Sequence, residues 1–244
     1  MKYLLVILSI TLFTQCQPKS DVLSAQAIID KAINTTCNGL CDTAEIAFVF
    51  RDKEYRSKRN NGDFVFSRTI IDSISITVDE LSNNGLTRRV QGAIVKVSDS
   101  LAGPISEGVN SVHYFAQLPY GLNAPAVIKE LLGETNIKEK PYYVIGVTFK
   151  QEGGGVDFDD KFVYWVHKET FTVDYIAYSY STNGGGIRFR EAYNARVLGG
   201  IRFVDYNNYK PEGLTTPLKS LAPIFEANKL ALLSKIELEN ISVK

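Results

Sequence analysis

Few residues of this chain carry chemistry beyond packing, and they fall in three places. His113, followed by Tyr114 and Phe115, sits on a stretch with helical periodicity. An imidazole there is a candidate general base. No serine or cysteine nucleophile stands beside it in a recognisable motif, so a structural role is the simpler reading. Glu152, Asp157, Asp159 and Asp160 flank Gly153 to Gly155. Carboxylates around a flexible loop suit calcium, but the spacing fits no calcium loop, and a solvated hairpin tip is simpler. Arg188, Arg190 and Arg196 share one strand parity, while Glu191 falls on the other, among Ile187, Phe189 and Tyr193. A charge on an apolar face is costly unless paired. Glu191 is therefore expected to meet an arginine from a neighbouring strand or to line a cavity, and Arg202, Asp205 and Asp174 raise the same question.

Tyr142, Tyr143, Tyr164, Trp165, Tyr175, Tyr178 and Tyr180 make one region unusually aromatic. Rings with an apolar body and a polar tip suit a pocket for an acyl chain or glycan, with cross-strand packing as the plainer alternative. The candidate ligand-binding set is His113, Tyr114, Tyr164, Trp165, Tyr178, Arg188, Arg190 and Glu191. No catalytic residue, metal ligand or cofactor is assigned.

Three cysteines bear on location. Lys2 and the apolar run Tyr3 to Phe13 read as an export signal, shorter than the roughly 20 residues of a membrane span. Cys16 follows at once, with Gln15 where a small residue is usual, and the chain then turns polar. This resembles a bacterial lipoprotein signal, in which the cysteine is acylated; the alternative is an ordinary secretory signal. Cys37 and Cys41, in an exported protein, are a candidate disulfide or two free thiols, favoured over a metal site because further ligands are lacking.

The elements that position these residues are mainly strands. From Tyr142 to Tyr209, five runs of β-branched and aromatic residues alternate with turns, two of them marked by Gly153 to Gly155 and Gly184 to Gly186, which predicts an antiparallel meander. Neither glycine block is a phosphate loop, since each lies between strands and no Gly-Lys-Ser/Thr follows. A second meander of about six short strands is expected between Ala44 and Val97, with Asn61-Gly62 and Asn84-Gly85 as hairpin turns. Ser24 caps a predicted helix carrying Ala27, Ile28, Ala32 and Ile33. Residues 98–118 read as a helix with Ile105, Val109, Val112 and Ala116 inward, His113 on the polar side, and Pro104 in the first turn. Val127 to Lys138 fits a short helix or a strand. The tail reads as a weak helix and then one strand, Ala231 to Val243.

Lys plus Arg and Asp plus Glu balance at 27 each, and the pI is near 6.7, which leaves no electrostatic footprint for nucleic acid. Residues 1–15 are read as signal, 16–23 as tether and 24–244 as one domain. About a dozen strands left flat would expose long edges. The expectation is therefore an α+β, mainly β fold: one curved antiparallel sheet forming an incomplete, half-open β-barrel with one or two helices in its concave side.

The segments Phe48 to Tyr55, Val109 to Asn123, FKQEGGGVDFDDKFVYWVHK and YSYSTNGGGIRFREAYN resemble an uncharacterised family of bacterial lipoproteins similar in fold to the LolA/LolB outer-membrane lipoprotein carriers. The resemblance implies an incomplete barrel with helices over its hollow and no established activity. It makes a lipid or acylated protein the expected ligand and places the chain at the outer membrane, periplasmic or surface-facing; separately, a monomer is expected. A protein-interaction module and a hydrolase are the alternatives.

Overall fold

The structure, a computed structural model, describes residues 23–155 and 158–244. The expected signal, Cys16 and Asp157 lie outside the described residues.

The described chain forms two seven-stranded sheets in which every neighbouring pair is antiparallel. The first sheet contains β1 (Glu45–Phe50), β2 (Lys53–Asn60), β3 (Asp63–Ile71), β4 (Ile76–Ser82), β5 (Gly85–Val90) and β6 (Ala93–Val95), with the last strand β14 (Glu239–Val243) beside β1. The second contains β7 (Val127–Ile137), β8 (Lys140–Phe149), β9 (Lys161–His167), β10 (Val173–Tyr180), β11 (Gly186–Leu198), β12 (Ile201–Lys210) and β13 (Ala231–Ile236), in that order. At the β2–β3 turn, Asn61 and Gly62 both take positive φ, the conformation of a tight hairpin.

Helix α1 (Ala25–Cys37) is capped by Ser24, whose Oγ accepts from Ala27 N–H. Its buried Ala25, Ile28, Ile29 and Ala32 pack on Ile145, Tyr164 and Ile176 of the second sheet. Helix α2 (Asp99–Ala116) follows β6, and its Tyr114 and Phe115 join the same core. We call this face of the second sheet inner. The opposite face is covered by the short helix α3 (Leu221–Glu226), whose Leu221, Ala222 and Phe225 pack on Trp165, Tyr175 and Phe189. One helix thus lies outside the trough, in addition to the two within it.

Three expectations are corrected. The two meanders form two sheets rather than one. Chain continuity passes from β13 to β14 at Glu237-Leu238, and there side chains replace the ladder: Asp205 accepts Leu238 N–H at 3.0 Å and Arg196 donates to Leu238 O at 2.7 Å. The same bend divides the expected last strand in two. Of the two readings of Val127 to Lys138 the strand holds, as Val127–Ile137; a register shift between Leu131 and Gly133 breaks its alternation and leaves an apolar spacing that imitates a helix. Finally, α2 begins at Asp99, so Pro104 lies inside it, and it is rotated from the expected orientation, with Ile105, Val109 and His113 fully buried. The first sheet explains the rotation, because its inner face is partly polar. His113 Nε2 donates to Ser67 O at 3.1 Å and Gln117 Nε2 donates to Ser57 Oγ at 3.0 Å. Nearby, buried Asp79 accepts from Arg68 at 2.8 Å and Arg88 at 2.6 Å. Polar helix residues meet partners there, as burial requires.

Candidate ligand-binding site

Alternation along β9 to β12 sorts the sequence-assigned residues onto two faces. Phe162 and Tyr164 of β9, Tyr178 and Tyr180 of β10, and Arg188 and Arg190 of β11 belong inside. Trp165, Tyr175, Phe189 and Glu191 belong outside, where Trp165 and Tyr175 pack against Phe189 and Phe225. Between the inner face and α2 lies a cavity of about 460 Å³. Its apolar wall includes Phe115, Phe149, Phe162, Val204, Tyr206 and Ile236, and Val112 and Ala116 of α2 turn towards it. The end of β1, with Phe50 and Arg51, contributes another part of the lining.

The polar groups of this wall are few and placed among rings. Tyr114 and Tyr164 share a hydroxyl–hydroxyl hydrogen bond of 2.9 Å. Burial pushes the Tyr114 and Tyr206 phenols up to about 12 and also holds Tyr164 well above the usual tyrosine value, so all three stay neutral near pH 7. Arg188 donates to Tyr180 Oη at 2.6 Å and to the Ile187 carbonyl at 2.9 Å. Arg190 is only 7% exposed. It donates to Tyr178 Oη at 2.7 Å and lies 3.8 Å from the Phe115 ring centroid. Asp160 also lines the cavity. The third glycine of the second block makes this packing possible: a Cβ on Gly186 would fall 2.5 Å from Tyr180 Oη.

The structure brings together Tyr114, Tyr178, Arg188 and Arg190 as cavity lining, with Tyr164 behind them. It separates the other three assigned residues. Trp165 faces α3. Glu191 meets no arginine: it accepts from Lys138 Nζ at 2.6 Å and from Asn207 and Tyr209 on the outer face. His113 is fully buried against the first sheet in a box of Phe48, Tyr55 and Phe66. Burial pushes it down to about 4. Asp174 and Asp205 pair with Arg202 and Arg196. Cys37 and Cys41 form a disulfide with Cα atoms 5.3 Å apart. Among the described residues no His, Cys, Asp and Glu cluster suits a metal, and no helix is long and apolar enough to cross a membrane.

Sequence reasoning missed Val204, Tyr206 and Asn208 of β12 as cavity residues. Their shared parity was readable, but opposition to the Arg190 side depends on register: Arg190 pairs with Asn208 and Ala192 with Tyr206. Phe115 falls on a predicted helix whose spacing gives it no direction, because packing against the first sheet sets the rotation of α2.

No curated protein sequence matches the chain. Among solved structures it is similar to a DUF1329 family protein from Desulfovibrio piger, at 13% identity over 90% of this chain and 92% of the other, TM-score 0.51. That likeness shows a shared fold. It is also similar, more weakly, to a LolA superfamily protein from Nitrosomonas europaea, at 14% identity over 91% of this chain and 92% of that one, TM-score 0.48. Two curved antiparallel sheets, not closed into a barrel and packed with helices, match the incomplete, half-open barrel expected from the sequence. Residues 2–238 match the model of a family of unknown function (DUF6503), and the chain belongs to that family.

Proposed function

We propose that this protein binds an amphiphilic ligand, a lipid or the acyl chain of a lipoprotein, in the inner cavity, and that it does so at the cell envelope while anchored through acylated Cys16. The observation that carries the reading is the cavity itself. Its volume of about 460 Å³ sits within the roughly 300–1,000 Å³ of small-molecule sites, and its wall has their composition, mostly apolar with a few placed polar groups. Strands β9 and β10 of its wall are packed on both faces, so a ligand would enter a preformed site. The alternative of hydrolysis finds little support in the geometry: His113, Arg190 and Glu191 face three different environments. Native mass spectrometry of protein purified from membranes tests the reading. Retained lipid, lost when Ala116 is replaced by Trp to fill the cavity, is the expected outcome; protein that never carries lipid would overturn it.

One observation favours a second reading, a docking module. Ile71, Ile74 and Ile94 are 59%, 87% and 71% exposed at the tips of the first sheet. Ile74→Asp and Ile94→Asp would then abolish capture of an envelope partner while leaving lipid retention unchanged.

A further inference from the structure

Among the described residues, Arg190 is the one charged side chain in the cavity wall that is more than nine-tenths buried. Of its guanidinium nitrogens, one donates to Tyr178 Oη. The other two, Nε and Nη1, are buried and have no hydrogen-bond partner among the described residues. Rings of Phe115, Tyr178 and Tyr206 lie 3.8, 5.0 and 5.8 Å from its centre. Such contacts offset part of the desolvation of a guanidinium, but they leave its N–H donors unmade, and arginine keeps its charge at any physiological pH. Among the described residues Arg59 and Arg68 leave one buried nitrogen each without a partner, and Arg190 leaves two. Arg68, Arg88, Arg196 and Arg202 each sit against an aspartate. Arg190 has a cavity in front of it instead. Arg51 and Arg188 line the same cavity, with Asp160 as the carboxylate in the wall.

We propose that Arg190 is the anchor for an anionic head group, so that the ligand is an acyl amphiphile bearing a carboxylate or phosphate that accepts from an N–H left without a partner, on Nη1 or on Nε. This rests on the amphiphile-binding reading above and narrows it. A hydrogen bond from the charged guanidinium to an oxygen of either group is charge-assisted, and so stronger than one to a neutral acceptor. The chain of the ligand would lie along Phe115, Phe149 and Phe162, and Tyr178 would brace the guanidinium from behind. Arg188, less buried and already committed to Tyr180 and a carbonyl, would add favourable charge without taking the head group. At about 30 Å³ for each water-sized unit, the 460 Å³ cavity holds on the order of fifteen such units, which suits one chain better than three.

The test compares ligands that differ in the head alone. The full-length protein is titrated with cis-parinaric acid and with its methyl ester, which has the same chain and no charge. Wild-type protein should bind the acid about tenfold or more tightly. Arg190→Met should erase that preference by weakening the acid and leaving the ester unchanged, and Arg190→Lys should restore part of it. Equal binding of acid and ester by wild-type protein would overturn the anchor while leaving the cavity reading standing. Binding of neither would overturn both. Competition by dodecanoic acid and by dodecyl phosphate then separates the two head groups: displacement by the first alone assigns a carboxylate, by the second alone a phosphate, and displacement by neither overturns the proposal. The wild-type comparison stands whether or not the variants fold.

Discussion

Acidification should destabilise this protein through His113, in a window set by its burial. The ring is fully buried between α2 and the first sheet. The Ser67 carbonyl can only accept, so the neutral ring carries its proton on Nε2, and Nδ1 is left without a partner. Burial, opposed by that hydrogen bond and helped by nearby Arg59, lowers its pKa from 6.5 to about 4. The unfolded chain therefore takes up a proton as pH falls through 6.5, while the folded protein resists until about 4. Stability is complete above pH 6.5 and is lost between 6.5 and 4. At about 1.4 kcal/mol for each pH unit of that window, the total is about 3 kcal/mol, of which about 2 kcal/mol is gone by pH 5. The acidic groups with lowered values do not blur the range from pH 7.5 to 5.0. Asp72 and Asp79 are held below 3.8 and Glu45 below 4.5, so their contributions are lost only at lower pH. Urea unfolding followed by the buried, single Trp165 is the assay. The free energy of unfolding should fall by about 2 kcal/mol between pH 7.5 and pH 5.0. His113→Leu should start about 1 kcal/mol lower for the lost hydrogen bond and then show little further change. A wild-type stability that is flat across this range, or a His113→Leu protein that keeps the loss, would refute the reasoning.

Other outcomes follow from the same structure. Replacing Cys37 and Cys41 by Ser should cost about 2 kcal/mol, the loop-closure contribution of so short a disulfide loop, measured by urea unfolding with and without reductant. Asp79→Ala should cost about 3–5 kcal/mol because it strands Arg68 and Arg88 beneath α2; for Asp79, burial raises the pKa but hydrogen bonds from Arg88 and Arg68 outweigh it. A melting temperature unchanged in Asp79→Ala would count against the buried network. Cys16→Ser should move the protein from the membrane to the soluble fraction, and undiminished sedimentation with membranes would remove the anchor.

What the sequence determined by itself was local. Strand runs and their turns were readable because β-branched and aromatic residues and Asn-Gly pairs act over a few neighbours, and β1 to β6 and β8 to β12 fall where those signals put them. The pairing of Arg188 with Arg190 on one face, and of Glu191 on the other, followed from the strand period alone. Tertiary structure decided which face became the inside. Strand β9 is buried on both faces, so its residues carry no polar–apolar contrast, and Tyr164 and Trp165 were equally good cavity candidates until α1 and α3 covered opposite sides. The same held for α2. Its apolar stripe pointed Val112 and Ala116 inward and His113 outward, but Ser57 and Ser67 on the first sheet supplied hydrogen bonds that no sequence window contains. Long-range register and the partners of buried polar groups are set by contacts between distant segments, and that is why the cavity, and the unpaired Arg190 within it, emerged only in three dimensions.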